Sequence, residues 1–169
     1  MKDEFYMQLA LDKAWEYQGL TYPNPAVGAV VTLGGNILAI EAHQQAGTSH
    51  AEVHALLTAY EILSKTQIDF DPKDAKQAHD FLLNLPKDFF SECTIYVTLE
   101  PCLMCVGAIV HARVARLVYG AGDPKIGAVA SQCKILELPG LNHRVEVTGG
   151  VMAAECSKVL KQFFRARRR

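Results

Sequence analysis

Two short runs hold side chains that could do chemistry together: Ser49-His50-Ala51-Glu52, and Glu100-Pro101-Cys102-Leu103-Met104-Cys105. A catalytic zinc takes three protein donors and keeps its fourth position for water. His50, Cys102 and Cys105 supply that number, and two cysteines one helical turn apart can reach one ion. If each run opens a helix, the unpaired N–H groups and positive dipole end there favour thiolates over thiols. Glu52 lies two residues from His50, so it can stand beside the ion without ligating it. A carboxylate in that place can do general acid–base work, with zinc supplying a water activated near neutral pH. Attack on an amidine-like ring carbon, with Glu52 protonating first a ring nitrogen and then the departing amine, would release ammonia and leave a carbonyl base.

Each half alone has a plainer reading. A His-x-Glu pair arises by chance, and a lone Cys-x-x-Cys serves redox or structural zinc sites equally well. The redox reading lacks an early βαβ unit and leaves His50 and Glu52 without a role. Together, with Pro101 before the first cysteine and about fifty residues between the halves, the runs form the His-x-Glu…Pro-Cys-x-x-Cys pattern of zinc nucleobase deaminases. An intact Glu52 argues against a non-catalytic zinc-stabilised RNA-binding module, which would have no use for an acid beside an open metal position.

Periodicity and punctuation indicate the elements that must position these groups. Asp3 could cap a helix running to about Gln18, with Phe5, Leu9, Leu11 and Trp15 along its apolar face. After the Tyr22-Pro23-Asn24-Pro25 turn, AVGAVVTL and ILAIEAH read as strands joined by a hairpin at Gly34-Gly35-Asn36. Val53, Leu56, Leu57, Tyr60 and Leu63 mark a helix from Ala51, and TIYVT (94–98) a strand leading straight into the cysteine run. A short apolar helix from Cys102 to about Ala112, strands at Ala115–Tyr119 and Val145–Thr148, and an amphipathic helix from about Met152 complete the order. The expected architecture is a three-layer α/β/α sandwich with a mixed central sheet. Both chemical runs then face one pocket.

The 169 residues, half of them hydrophobic and 21% charged, suit one globular domain spanning 1–169 and exclude disordered or fibrous classes. No apolar stretch approaches the roughly 20 residues needed to span a bilayer, and the acidic start is unlike a secretion signal. A soluble, cytoplasmic protein with no membrane partner is expected. Cys93, Cys133 and Cys156 bring the cysteines to five, an odd number that speaks against a disulfide scaffold. Residues 64–91, rich in Asp and Lys, read as a surface insertion with at most one short helix, a candidate lid or partner surface.

Charge is uneven along the chain. Lys161, Arg165, Arg167, Arg168 and Arg169 stand in the last nine residues with no acid, so removing these five from the net −1 leaves −6 over residues 1–160. Such a cluster fits a phosphate-backbone contact, or a solvated helix end whose cations suit the dipole.

The chain resembles the cytidine deaminase-like superfamily, through two branches. DEFYMQLAL, YPNPAVGAVV and HQQAGTSHAEVHAL are similar to the deaminase domain of the bifunctional riboflavin-pathway pyrimidine deaminase/reductase. TLEPCLMCVGAIVHARVARLVYGAGDPKIGAVAS and LPGLNHRVEVTGGVMAAECSKVLKQFFRARRR are similar to the bacterial tRNA-specific adenosine deaminases, which convert wobble adenosine to inosine. The resemblance implies Zn2+ at His50, Cys102 and Cys105, catalysis by Glu52, and a base pocket lined by Asn24, Val27, His43, Ala51 and Asp123. It implies a tRNA anticodon loop held by Lys125, Arg144, Phe164, Arg165 and Arg168, and a homodimer whose interface includes the helix after the zinc cysteines. The alternative is a small free substrate, such as the aminopyrimidine phosphate implied by the first branch, or a cytosine- or guanine-type base. The tRNA branch has an Asn roughly where this chain has His43, while the riboflavin branch has a longer spacer between its zinc cysteines.

Overall fold

The computed structural model describes residues 2–167. The elements run α1 (Lys2–Glu16), β1 (Gly28–Leu33), β2 (Asn36–Ala42), α2 (Ala51–Ser64), α3 (Ala75–Leu83), β3 (Cys93–Leu99), α4 (Leu103–His111), β4 (Arg116–Ala121), β5 (Glu146–Thr148) and α5 (Ala153–Arg167). The five strands form one sheet in the order β2-β1-β3-β4-β5. β1 is antiparallel to β2 and β3, whereas β3, β4 and β5 run parallel. The sheet is therefore mixed, as expected.

Both faces of the sheet are buried. Val30, Tyr96 and Val118 lie in register across β1, β3 and β4 and pack with α1 and α5. Val31, Ile95 and Leu117, one residue out of phase, pack with α2, α3 and α4. The alternation of side chains along a strand thus feeds two apolar layers and places the helices in two outer ones. Among the described residues no helix is long and apolar enough to cross a membrane.

Two expectations need correction. α1 does not bury Phe5, which is 59% exposed, and leaves Trp15 36% exposed; it buries Tyr6, Met7, Ala10, Leu11 and Ala14. The reason is close packing: Gly28 of β1 lies against the Ala10 carbonyl, where any Cβ would collide, so the helix meets the sheet through its small residues. The segment 64–91 is also more than surface. Its helix α3, capped by the Asp74 carboxylate accepting from the Gln77 N–H, contributes buried Ala78 and Leu82 to the core, as does the fully buried Phe90 beside β3. Phe70, Phe81 and Phe89 join Tyr60 of α2 in an aromatic cluster beneath it. These apolar residues stand in separate small groups within a stretch rich in Asp and Lys, and the tertiary fold gathers the groups together.

Candidate active site

The site forms where β3 ends and two helices begin. His50 and Cys102 are the residues immediately preceding α2 and α4, both extended, and neither side chain caps its own helix. Their side chains turn towards each other instead. His50 Nδ1 lies 3.6 Å from Cys102 Sγ and 3.4 Å from Cys105 Sγ. The three donor atoms lie within 4.8 Å of one another, close enough to share one ion, and an imidazole with two thiolates is a donor set that zinc accepts. A hydrogen bond from Cys105 pulls the Cys102 thiol down to about 4 against the opposing effect of burial, and His50 assists. Cys105, the donor in that pair and itself buried, is pushed up, while the Cys102 sulfur raises His50.

Glu52 lies in the first turn of α2, 4% exposed. Burial raises its carboxyl, partly offset by His50. A buried carboxyl that gains and loses a proton readily is what transfer between water and a ring nitrogen needs.

A cleft opens on these groups, and Asn24, Val27, His43, His50, Ala51, Glu52, Cys102 and Asp123 all line it. Every base-pocket residue named from the sequence is thus brought to one place. Val27 lies just before β1, and its carbonyl accepts from the His43 N–H at 3.0 Å. His43 is buried, and burial lowers its pKa. Its Nε2 stands 3.4 Å from Asn24 Nδ2.

Pro25, Leu99, Glu100 and Ile126 complete the lining and were missed from sequence. Glu100 matters most. Its carboxylate accepts from the backbone N–H groups of Asp123 (3.1 Å), Val129 (3.0 Å), Ala130 (2.8 Å) and Ser131 (3.0 Å), and from the Ser131 hydroxyl. Burial opposes its charge, but these donors outweigh it and hold the pKa at about 2. Gly127 packs against the same carboxylate so closely that a Cβ would collide with it. The 122–131 loop is therefore wrapped around one buried anion. An acid directly before Pro101-Cys102 was the available signal.

The residues assigned to nucleic acid are not all in one place. Lys125 sits between the cleft residues Asp123 and Ile126, with its Nζ 5.0 Å from the centre of the Phe164 ring. Phe164 and Arg165 are exposed on α5. Arg144 does not line the cleft; its Nη1 donates to the carbonyls of Leu136 (3.3 Å) and Leu138 (2.9 Å), bracing its own segment. Arg168 lies outside the described residues.

A mixed sheet that aims two helix starts, and with them a His/Cys/Cys set and a buried acid, into one cleft defines a zinc-dependent hydrolytic deaminase. Residues 1–121 match the family model for the cytidine and deoxycytidylate deaminase zinc-binding region, and residues 76–168 match that of MafB19-like deaminases. The chain belongs to the cytidine and deoxycytidylate deaminase family. It is 32% identical over 173 residues to a tRNA-specific adenosine deaminase of Bacillus subtilis, covering 99% of this chain and 92% of that one. With the Haemophilus influenzae tRNA-specific adenosine deaminase it shares 55% identity over 75 residues, a stretch spanning 44% of this chain and 43% of the relative. A structure from work on A-to-I editing by tRNA:A34 deaminases superposes with TM-score 0.65 at 30% identity, covering 92% of this chain and 98% of that one. Acinetobacter baumannii RibD superposes with TM-score 0.67 at 27% identity over 98% of this chain, which corresponds to only 39% of RibD. Both branches of the resemblance are thus met.

Proposed function

We propose that this chain deaminates adenosine to inosine at the wobble position of tRNA. The observation that carries the proposal is the joining of α5 to the rim of the cleft: Lys125, on the loop that lines the base pocket, lies against Phe164 of the helix that ends in the basic cluster. A flipped base in the cleft would leave a flanking phosphate within reach of Lys125, with the exposed Arg165 next to Phe164 on α5 as a further cation for the strand, as recognition of a splayed RNA loop requires. The near full-length likeness to the Bacillus subtilis tRNA-specific adenosine deaminase supports the same reading.

In this reading His50 Nδ1 and the sulfurs of Cys102 and Cys105 would hold a zinc ion, which when bound would supply Lewis-acid activation of water near neutral pH. Asn24, His43, Val27, Ala51 and Asp123 hold the base with its amino-bearing carbon towards the metal site. Glu52 takes a proton from the attacking water, gives it to the adjacent ring nitrogen, and then carries the second proton to the leaving amine, so that adenosine and water become inosine and ammonia. The buried surroundings keep bulk water from Glu52 while it does so.

RNA binding, a cytoplasmic location and a homodimer belong to the same proposal. Leu103 and Met104 on α4 are 60% and 59% exposed, an apolar face suited to a second copy. A second reading, deamination of a small aminopyrimidine phosphate, draws on the His43–Asn24 pair in the cleft and the likeness to RibD. Deleting residues 165–169 separates the two. Turnover of an anticodon stem-loop should fall and lose much of its salt dependence, because phosphate contacts release counterions; unchanged turnover of a small pyrimidine alone would favour the second reading.

A further inference from the structure

Ser49, which precedes the metal-site histidine, is 2% exposed and connects three parts of the site. Its N–H donates to the Lys73 carbonyl at 3.0 Å, and its hydroxyl to the Pro72 carbonyl at 2.7 Å. Both acceptors belong to the turn before α3, inside the segment that read from sequence as an insertion. The Ser49 carbonyl in turn lies 3.2 Å from His43 Nδ1.

A carbonyl oxygen can only accept, so Nδ1 must carry a proton. On the other side of the ring, Nε2 meets the Asn24 Nδ2 amide at 3.4 Å, a donor that needs a lone pair opposite it. The two contacts are compatible only with the Nδ1–H tautomer. With Nδ2 turned to His43, Asn24 Oδ1 is left as the acceptor that this pair offers the cleft, where it can take an N–H from the edge of a base. Ser49 itself does not line the cleft.

We propose that Ser49 is a positioning residue: through it the Pro72-Lys73 turn fixes the tautomer of His43 and hence the orientation of the Asn24 amide that meets the substrate. The inserted segment is thereby part of the active site's support. This rests on the cleft being the deaminase active site, but half of its test needs no substrate.

The test pairs ring-nitrogen NMR of the zinc-loaded, 15N-histidine-labelled protein with steady-state kinetics on the stem-loop, for the unaltered protein, Ser49→Ala and Ser49→Thr. In the unaltered protein His43 shows a single Nδ1–H tautomer. Ser49→Ala gives a mixture and lowers kcat/KM about three- to tenfold, the scale of one lost hydrogen bond, with zinc content unchanged. Ser49→Thr, which keeps the hydroxyl, restores both readouts. An Nε2–H tautomer in the unaltered protein overturns the proposal whatever the variants do. So does Ser49→Ala with one tautomer and normal kcat/KM, or with lost zinc and an unaltered His43. A protein inactive on the stem-loop but showing the tautomer change would refute the substrate reading and leave Ser49's role intact.

Discussion

Replacing Glu100 by Gln removes one charge and almost no volume, yet the structure makes it the most consequential conservative change near the site. The carboxylate is 2% exposed and serves four backbone N–H groups and a hydroxyl of the 122–131 loop. An amide can leave its oxygen facing Val129, Ala130 and Ser131, but those bonds become neutral and about half as strong. Its NH2 must then face the Asp123 N–H, donor against donor, and a buried unpaired donor costs about 1–3 kcal/mol. Together with three weakened bonds, the expected loss is about 3–5 kcal/mol. For a domain of this size each kcal/mol moves Tm by about 2–4 °C, so the variant should melt roughly 10–15 °C lower. Because Asp123 and Ile126 ride on the same loop and line the cleft, KM should rise as well. Thermal melting of the zinc-loaded variant, with zinc measured alongside, is the assay. A Tm within about 3 °C of the parent, with normal kinetics, would refute the view that this carboxylate holds the loop.

Four further outcomes are expected. Gly127→Ala places a methyl group in the space that the Glu100 carboxylate occupies and should destabilise by about 1–3 kcal/mol through overpacking, read by chemical denaturation. Phe90→Ala opens a cavity in the core and should lose about 3–5 kcal/mol in the same assay; a near-neutral change would return the 64–91 segment to the surface. Asp3 pairs bidentately with Arg116 at 2.8 and 2.7 Å, and the hydrogen bond from that guanidinium lowers its pKa below 3.8. The pair therefore stabilises above the unfolded value and is lost as pH falls through the folded one, so Asp3→Asn should be less stable by about 1 kcal/mol at neutral pH and converge with the parent once pH has fallen through that lowered folded value, as acid titrations of stability would reveal. Glu52→Ala should retain zinc and its fold while turnover drops at least 100-fold, on the order expected for removing a general acid–base group; zinc loss instead would mean that Glu52 holds the metal.

The grouping of His50, Glu52, Cys102 and Cys105 was legible because its information is local. His50 and Glu52 share one helical turn, Cys102 and Cys105 another, and the strand TIYVT leads the second pair to the end of the central strand, beside the first. The sheet was legible for the same reason, since short runs of apolar and β-branched residues and the Gly34-Gly35 turn are short-range signals. What escaped depends on partners far along the chain. Phe5 and Trp15 read as core because they are large, while the helix is seated by Ala10 and Ala14 against Gly28, a fit that only the packed structure reveals. Glu100 looked like part of a motif, although its donors arrive from residues 123–131. Arg144 counted as a cation for phosphate, yet one of its nitrogens is engaged by two carbonyls of its own segment.

The account stands or falls most directly on the product formed from an anticodon stem-loop carrying adenosine at the wobble position. Nucleoside mass spectrometry after incubation with the zinc-loaded protein should find inosine at that position, with none formed by Glu52→Ala. Adenosine left intact, while the same preparation releases ammonia from an aminopyrimidine phosphate, would contradict it and assign the cleft to a small free substrate.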